Sequence, residues 1–115
     1  MIKKELSLKT NFEYNITRKY GDYHIGNFFH MYILKPTNYS GISKLGVVTS
    51  TKFDKNAVVR NKTKRMFKDA MKKFLDSNSS KSLWIVIHPK VNSKNKTYEE
   101  ISTDVNNVLQ KISIS

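Results

Sequence analysis

The fold is decided by residues 56–65, NAVVRNKTKR, which predict the start of a helix that runs to about Asp76. Between Arg60 and Lys73 there are seven lysines or arginines and one acid, Asp69. At 100° per residue, the side chains suited to a core share one side of this helix. They are Val59, Thr63, Met66, Phe67, Ala70 and Phe74. The opposite side carries Asn61, Lys64, Arg65, Lys68 and Lys72, with Arg60 and Lys62 at its two edges.

This row of cations is about 15 Å long at ~1.5 Å rise per residue. A solvated helix face is the ordinary explanation of such a row, but solvated faces usually mix acids with bases and gain i,i+4 pairs. A face of one sign repels itself unless a polyanion lies against it. The row therefore indicates contact with several phosphates of a nucleic acid backbone.

The whole chain has the same bias, with a formal net charge of +12 over 115 residues. Nucleic acid is the first candidate partner, and an anionic membrane surface is the second. The sequence has no cysteine and no apolar run of about 18 residues, so we expect neither a disulfide nor a membrane span. It also lacks the apolar stretch of a signal peptide at its start, so we expect a cytoplasmic protein. Its length predicts one domain, residues 1–115, with residues 1–9 as a basic arm.

The first helix is predicted to begin after Thr10, whose pattern with Glu13 fits a capping box, and to end at Gly21. A stripe of apolar residues runs along it, spaced four apart: Phe12, Ile16 and Tyr20. Such a stripe either packs into a core or contacts a ligand, and the spacing does not decide between the two.

Two strands are predicted next, at residues 28–34 and 44–52, with a short extended piece at 23–25 before them. In the first strand Phe29, Met31 and Ile33 share a core face, while Phe28, His30 and Tyr32 share a half-wet face on which bases could stack. A loop of residues 35–41 separates the two strands, so we expect an antiparallel hairpin with a loose connection.

After the basic helix, residues 83–88 form a continuously apolar run that predicts a central strand covered on both faces. A second capping box at residues 97–100 begins an amphipathic helix that reaches Ile112. The order is helix, two or three strands, helix, strand, helix. It predicts an α+β sandwich, α-β-β(-β)-α-β-α, with helices packed on a sheet.

Residue patterns for catalysis are missing from the sequence. The three histidines, His24, His30 and His88, have no metal-ligand spacing, and no Gly-rich phosphate loop or Ser-His-Asp arrangement stands out. The residues alone therefore predict an RNA- or DNA-binding domain with a basic helix and nearby aromatic residues.

Residues 56–65 closely resemble the signature of the protein subunit of bacterial ribonuclease P, a Lys-Lys-x-Gly-Asn-Ala-Val-x-Arg-Asn-Arg-x-Lys-Arg pattern. Residues 45–50, LGVVTS, look like the family's Leu-Gly-Ile-Ser-Val-Ser strand, and residues 29–32 match its Phe-x-x-Tyr strand. There are departures. Residues 51–55 replace Lys-Lys-x-Gly with one residue more, Lys62 stands where the family has Arg, and the first helix carries two extra residues before Gly21.

The resemblance implies a fold similar to a ribosomal-protein domain, with a left-handed β-α-β crossover through the signature helix. It also implies a role in removing the 5′ leader of precursor tRNA. In this family the catalyst is an RNA subunit with bound Mg²⁺, so no catalytic residue, metal site or cofactor is expected on the protein. The protein binds that RNA through its signature helix and holds the single-stranded leader between its first helix and the sheet.

Carried onto this chain, the resemblance assigns two sets of residues. Binding of the RNA subunit falls to Arg60, Asn61, Lys62, Lys64, Arg65 and Lys68. Binding of the leader falls to Phe12, Ile16, His30, Tyr32, Ser50 and Lys52, with Tyr20 as an alternative to Ile16. Lys52 is equally well explained as a solvated strand end. Two other functions remain open: a ribosomal or general RNA-binding protein of the same fold, and an enzyme that cleaves RNA unaided.

Overall fold

The computed structural model describes residues 7–37 and 39–112, and these form three α-helices and one four-stranded sheet. In chain order the elements are α1 (Asn11–Tyr20), β1 (Asp22–Ile25), β2 (Phe29–Leu34), β3 (Lys44–Val47), α2 (Ala57–Ser77), β4 (Trp84–Pro89) and α3 (Tyr98–Gln110). This order confirms the predicted α-β-β(-β)-α-β-α succession, and the short extended piece before β2 is a strand of the sheet. No helix within the described part of the chain is long and apolar enough to cross a membrane.

The strand order is β1-β2-β4-β3, so β4 lies between β2 and β3. β2 is antiparallel to both β1 and β4, and β3 is parallel to β4. The predicted β2–β3 hairpin is therefore wrong. A strand that is apolar at every position needs a neighbour on each side and a cover on each face. β4 is that strand, and it takes the place between β2 and β3.

β3 is also shorter than the predicted strand at residues 44–52. The backbone N–H of Val48 makes the last bond to β4, donating to the carbonyl of Ile87 at 2.9 Å. The chain then turns, because the carbonyl of Ser50 accepts from the N–H of Phe53 at 2.9 Å. From this turn the chain enters α2, so that β3, α2 and β4 form a β-α-β unit.

The two faces of the sheet are covered by different helices. One face carries Phe29, Met31 and Ile33 of β2 with Ile85 and Ile87 of β4, all buried, and packs against α2 and α3. The other face carries Trp84 and Val86, with α1 packed over it through Tyr14 and Ile16. The alternation predicted for β2 and the double-sided burial predicted for β4 are both confirmed.

α2 begins as predicted, with the side chain of Asn56 accepting from the N–H of Val58 at 2.9 Å. Its buried residues are Thr63, Phe67, Ala70, Met71 and Leu75. Their spacing leaves the opposite side in solvent, which is the side that carries the cations.

α1 also begins as predicted, because Thr10 and Glu13 form a complete capping box. The predicted arm is less separate from the domain than expected. The described part of it, from Ser7, joins the fold, since Leu8 is buried and its N–H donates to the carbonyl of Leu45 at 3.1 Å. The prediction for residues 1–6 lies outside the described residues.

Of the apolar stripe of α1, only Ile16 packs against the core. Phe12 is 66% exposed and Tyr20 is 62% exposed, while Ile16 is half-buried. The side of α1 that faces the sheet is centred on Thr17, which is fully buried and donates its hydroxyl to the carbonyl of Glu13.

α3 begins at the predicted N-cap, where the hydroxyl of Thr97 accepts from the N–H of Glu100 at 3.2 Å. Within the described chain the reciprocal half of the box is absent, because the carboxylate of Glu100 lies 4.0 Å from Nζ of Lys96 instead. Further along α3, buried Asp104 accepts from the N–H groups of Asn27 and Phe28, both at 2.9 Å. This carboxylate holds the β1–β2 turn. The sequence analysis did not single it out.

Candidate nucleic-acid interface

The outer side of α2 presents the predicted row of polar and cationic side chains, here called the basic surface. It consists of Asn61, Lys62, Lys64, Arg65 and Lys68. Asn61, Lys62 and Arg65 are exposed, and Lys64 and Lys68 are half-buried. The ion pairs Lys44–Glu13, Lys94–Asp54 and Lys96–Glu100 of the described residues involve none of these four cations. The charge of this surface is therefore available to an anion.

Arg60, predicted to belong to the same set, is partly engaged within the protein. Its Nη1 donates to the backbone carbonyls of Asp54 at 2.8 Å and Lys55 at 3.0 Å. The N–H of Asn56 donates to the carboxylate of Asp54 at 2.7 Å and lowers the pKa of that group, with Lys94 contributing from 3.3 Å. Arg60 thus braces the turn that enters α2, in addition to any contact that it makes outside the chain.

A second surface lies on the side of the sheet that α1 covers, and we call it the aromatic surface. It consists of Tyr23, His30, Tyr32 and His88, contributed by β1, β2 and β4. The ring of Tyr32 lies between that of Tyr23, at a centroid distance of 5.2 Å, and that of His88, at 6.1 Å and edge-on. Tyr23 stacks on His30 at 5.8 Å, and its hydroxyl is hydrogen-bonded to Nδ1 of that histidine. Four rings thus form one continuous patch.

Both histidines of this patch are held towards their neutral form. Burial lowers the pKa of His88 below the usual 6.5, and Arg18 and His30 lower it further. Burial, with Lys90 close by, lowers the pKa of His30 as well. At neutral pH the patch is therefore an uncharged aromatic platform, which suits stacking against bases.

One wall of the adjoining groove comes from α1. Arg18 reaches His88, with Nη1 3.4 Å from Nε2, while its Nη2 donates to Oδ1 of Asn15 at 2.7 Å. A groove of about 310 Å³ lies beside Arg18 and includes Lys64 of α2 in its lining. The other lining residues are Asn11, Tyr14 and Val47–Thr49. Lys64 therefore joins the basic surface to the groove beside the aromatic surface.

The α1 residues that were predicted to bind the leader are not the α1 residues that line this groove. Phe12 and Ile16 are not among its lining residues, whereas Tyr14 and Arg18 are. The difference depends on which end of the helix is used as the reference. Counting back from Gly21 reaches Arg18 and Tyr14, three and seven residues away, while counting from Phe12 reaches Ile16. The register of the helix end, where Gly21 contacts the sheet, was the signal that could have found them.

Ser50 and Lys52 lie in the turn after β3, and both are exposed. The N–H of Lys52 donates to Oγ of Ser50 at 3.2 Å. Both residues line a groove of about 340 Å³ that also includes His88. This brings them to the edge of the aromatic surface. Lys52 belongs to a turn and not to the end of a strand, and its role in leader binding stays a prediction.

Residues 7–37 and 39–112 contain no group of three or more histidines or carboxylates arranged around a common point, as a metal ion would need. The arrangement offers two things instead: a row of cations for phosphates, and a neutral aromatic platform for bases. The fold and these surfaces define a nucleic-acid-binding α+β domain.

Comparison with known proteins identifies the family. The model of the Ribonuclease P family matches residues 2–113. The ribonuclease P protein component of Clostridioides difficile is 30% identical, with 94% of this chain and 92% of the relative covered. That of Clostridium botulinum strain Langeland is 31% identical, with 96% and 97% covered.

Solved structures agree with this result. The Staphylococcus aureus RNase P protein has a TM-score of 0.78 at 25% identity, with 91% of this chain and 93% of that chain covered. The Thermotoga maritima RNase P protein has a TM-score of 0.77 over 94% and 98%, and its 21% identity makes this a likeness of fold. The chain belongs to the ribonuclease P protein family, whose role is RNA binding in the maturation of tRNA 5′ ends.

Proposed function

We propose that the two surfaces divide the work of this family between them. The basic surface of α2 binds the catalytic RNA subunit of ribonuclease P, with Arg60 at its edge. The groove beside the aromatic surface binds the single-stranded 5′ leader of precursor tRNA. The observation that carries this proposal is the position of Lys64, which lines a groove with Arg65 on one side and a groove with Arg18 on the other. A substrate strand and the RNA that cleaves it can therefore lie side by side on one protein.

The leader differs in sequence from one tRNA to another, so its site must tolerate any base. Stacking on Tyr32 and charge from Arg18 and Lys52 meet that need, because every base has a π face and every nucleotide a phosphate. His30 and Ser50 border the same site. Phe12 and Ile16 keep the leader-binding role that the family resemblance gives them, with Tyr14 and Arg18 as the α1 residues that the groove favours.

The protein contributes binding and not bond cleavage. We propose that the Mg²⁺ ions that the reaction requires are bound by the RNA subunit, and that the complex acts in the cytoplasm. In support, the described polar side chains include carboxylates that serve as caps or turn anchors, such as Glu13 and Asp104. These carboxylates are already committed to backbone N–H groups.

Reconstitution tests this function. The purified protein is mixed with the source organism's ribonuclease P RNA and a precursor tRNA, and the released leader is measured. We expect cleavage at low magnesium with both components and none with nuclease-treated protein alone. Cleavage by the protein alone would show an enzyme that needs no RNA. Binding to the RNA without any gain in cleavage would show a general RNA-binding protein of the same fold.

A further inference from the structure

A groove of about 580 Å³ lies on the α2–α3 side of the protein, away from α1. One wall is α2, with Lys62, Arg65, Met66 and Asp69. The other wall is the segment Lys94–Tyr98, which leads into α3. Its volume falls within the range of about 300–1,000 Å³ that is usual for small-molecule sites, so it can hold more than a single ion.

The lining of this groove carries four cations and the carboxylate of Asp69. Lys94 and Lys96 also pair with carboxylates outside the lining, Asp54 and Glu100, so the excess of positive charge comes from Lys62 and Arg65. Lys94 and Lys96 are held in place by other contacts. Nζ of Lys94 lies 3.3 Å from the carboxylate of Asp54 and 5.5 Å from the ring centre of Phe53. Nζ of Lys96 lies 5.3 Å from the ring centre of Phe28. The lysines of this wall are thus fixed opposite Lys62 and Arg65.

Tyr98 gives the groove an aromatic side chain as well as charge. It is the first residue of α3, it is 44% exposed, and no other described ring stacks on it. Met66 supplies an apolar contact on the other wall. A site for a phosphate alone needs cations and no ring. Cations together with an unstacked tyrosine fit a whole nucleotide, whose base stacks while its phosphate is neutralised.

We propose that this groove binds one unpaired nucleotide of the catalytic RNA, with the base on Tyr98 and the phosphate among Lys62, Arg65 and Lys94. This inference rests on the proposed function. The catalytic RNA is the source because Lys62 and Arg65 also belong to the basic surface, so an RNA strand on α2 reaches the groove without a break. The leader site lies on the opposite face of the sheet. The groove therefore extends the RNA-subunit contact from α2 across to the start of α3.

The first test measures the affinity of the protein for the catalytic RNA and the affinities of the assembled holoenzyme for precursor and mature tRNA. Tyr98→Leu removes the ring and keeps an apolar side chain, and we expect it to weaken binding of the catalytic RNA about tenfold, as the loss of one stacked base would. Tyr98→Phe keeps the ring and should restore affinity to within about twofold. The ratio of precursor to mature tRNA affinity should stay unchanged in both variants. A Tyr98→Leu protein that melts normally and binds the RNA as tightly as the unaltered chain would overturn the proposal.

A second test does not depend on the stability of that variant. The chain has no cysteine, so Asn95→Cys gives a single attachment point on the groove for a photo-crosslinker. We expect one crosslink, to an unpaired nucleotide of the catalytic RNA. Lys35→Cys is the control, because Lys35 is exposed and follows the last residue of β2. A crosslinker attached there should not reach that nucleotide. Crosslinks from Asn95→Cys to paired regions, to the precursor leader or to nothing would each reject the groove. Failure of the unaltered protein to bind the catalytic RNA would instead reject the proposed function.

Discussion

At two positions in this protein, neighbouring atoms approach the backbone so closely that only glycine fits. A Cβ on Gly46 of β3 would overlap the ring of Tyr14, so the ring can lie flat on the edge strand. A Cβ on Gly21 would overlap the carbonyl of Thr17 and lie 3.0 Å from the carbonyl of Ile33, so α1 can end directly on β2. Neither glycine has a positive φ. The close neighbour of Gly46 is thus a side chain that lines the candidate leader groove.

Replacement of Tyr32 by alanine should weaken the binding of precursor tRNA to the holoenzyme. Stacking of one base on an aromatic ring contributes roughly 1–3 kcal/mol, and ~1.4 kcal/mol is tenfold in affinity. We therefore expect Tyr32→Ala to lower the precursor-to-mature affinity ratio about tenfold, because mature tRNA has no leader. Filter binding or fluorescence anisotropy of both tRNAs measures that ratio.

The matched pair for this experiment is Phe12→Ala and Arg18→Ala. Phe12 is largely exposed, so its loss should leave the melting temperature unchanged. If the leader follows the groove, Arg18→Ala lowers the ratio and Phe12→Ala does so less. A larger loss with Phe12→Ala would mean that the leader crosses the outer side of α1. An unchanged ratio in a folded Tyr32→Ala protein would remove the aromatic surface from the leader site.

The residue pattern thus predicted which face of β2 is buried, but it left open which side of α1 packs on the sheet. The alternation of Phe29, Met31 and Ile33 against His30 and Tyr32 follows from the two-residue period of a strand, which sequence displays directly. For α1 the apolar stripe of Phe12 and Tyr20 pointed outwards, because the packing side is made by Thr17 and Gly21. Small residues that allow close approach leave no hydrophobic signal.

In α2, the residues buried in the core and the residues of the basic surface lie on separate sides of the helix. Its buried residues keep the helix on the sheet, and none of them belongs to the basic surface. Charge can therefore be removed from the outer side without disturbing the core. This separation makes it possible to measure RNA binding and folding independently.

Arg65→Ala and Arg60→Ala should separate these two effects. Both changes should weaken assembly with the catalytic RNA and lower the slope of log affinity against log salt by about one, since each removes one phosphate contact. Arg65 is exposed and should leave the melting temperature unchanged. Arg60→Ala should also lower the melting temperature, because it loses the bonds to the carbonyls of Asp54 and Lys55.

Titration of affinity against salt and a melting curve for each variant provide these values. Lys35→Ala is the charge-matched control, and we expect the same salt slope as in the unaltered protein. A slope that is already flat in the unaltered protein would contradict an electrostatic interface. Equal melting temperatures for the two arginine variants would mean that the Arg60 bonds do not stabilise the turn.

Strand pairing is the property of the elements that the sequence did not reveal. Consecutive strands usually pair, and this rule favoured a β2–β3 hairpin. The apolar run of β4 predicted a central strand but not which neighbours it would have. A parallel pair joined through a helix leaves no local turn signal, so the insertion of β4 depends on contacts more than 30 residues apart in the chain, such as Lys44 with Trp84.

At the scale of the whole molecule, the stability should depend on pH through the two histidines of the aromatic surface. The folded state lowers the pKa of His30 and His88 below 6.5. Below pH 6.5 these histidines bind more protons in the unfolded chain than in the folded chain. Their contribution to the free energy of unfolding is therefore present above this pH and is lost as the pH decreases. Arg18 and Lys90 face these rings and oppose their protonation.

We therefore expect the free energy of unfolding to decrease between pH 7 and pH 5, before the carboxylates of Glu13 and Asp54 begin to protonate. Urea unfolding at a series of pH values measures this decrease. His88→Gln should make it smaller, because one of the two groups no longer titrates. A His88→Gln protein with the same pH dependence as the unaltered chain would show that this histidine makes no contribution.

The central position of β4 in the sheet also has a consequence for folding during synthesis on the ribosome. β2 can pair with β1 as soon as it is made, but its other edge, and β3, have no neighbouring strand until Trp84–Pro89 has emerged. The ribosome holds back the most recently joined residues of a growing chain, so the sheet is completed only after residues that follow β4 have been joined. Until then the nascent chain carries two open strand edges and its whole excess of positive charge. The incomplete chain can therefore attract a polyanion such as cellular RNA before its sheet is complete.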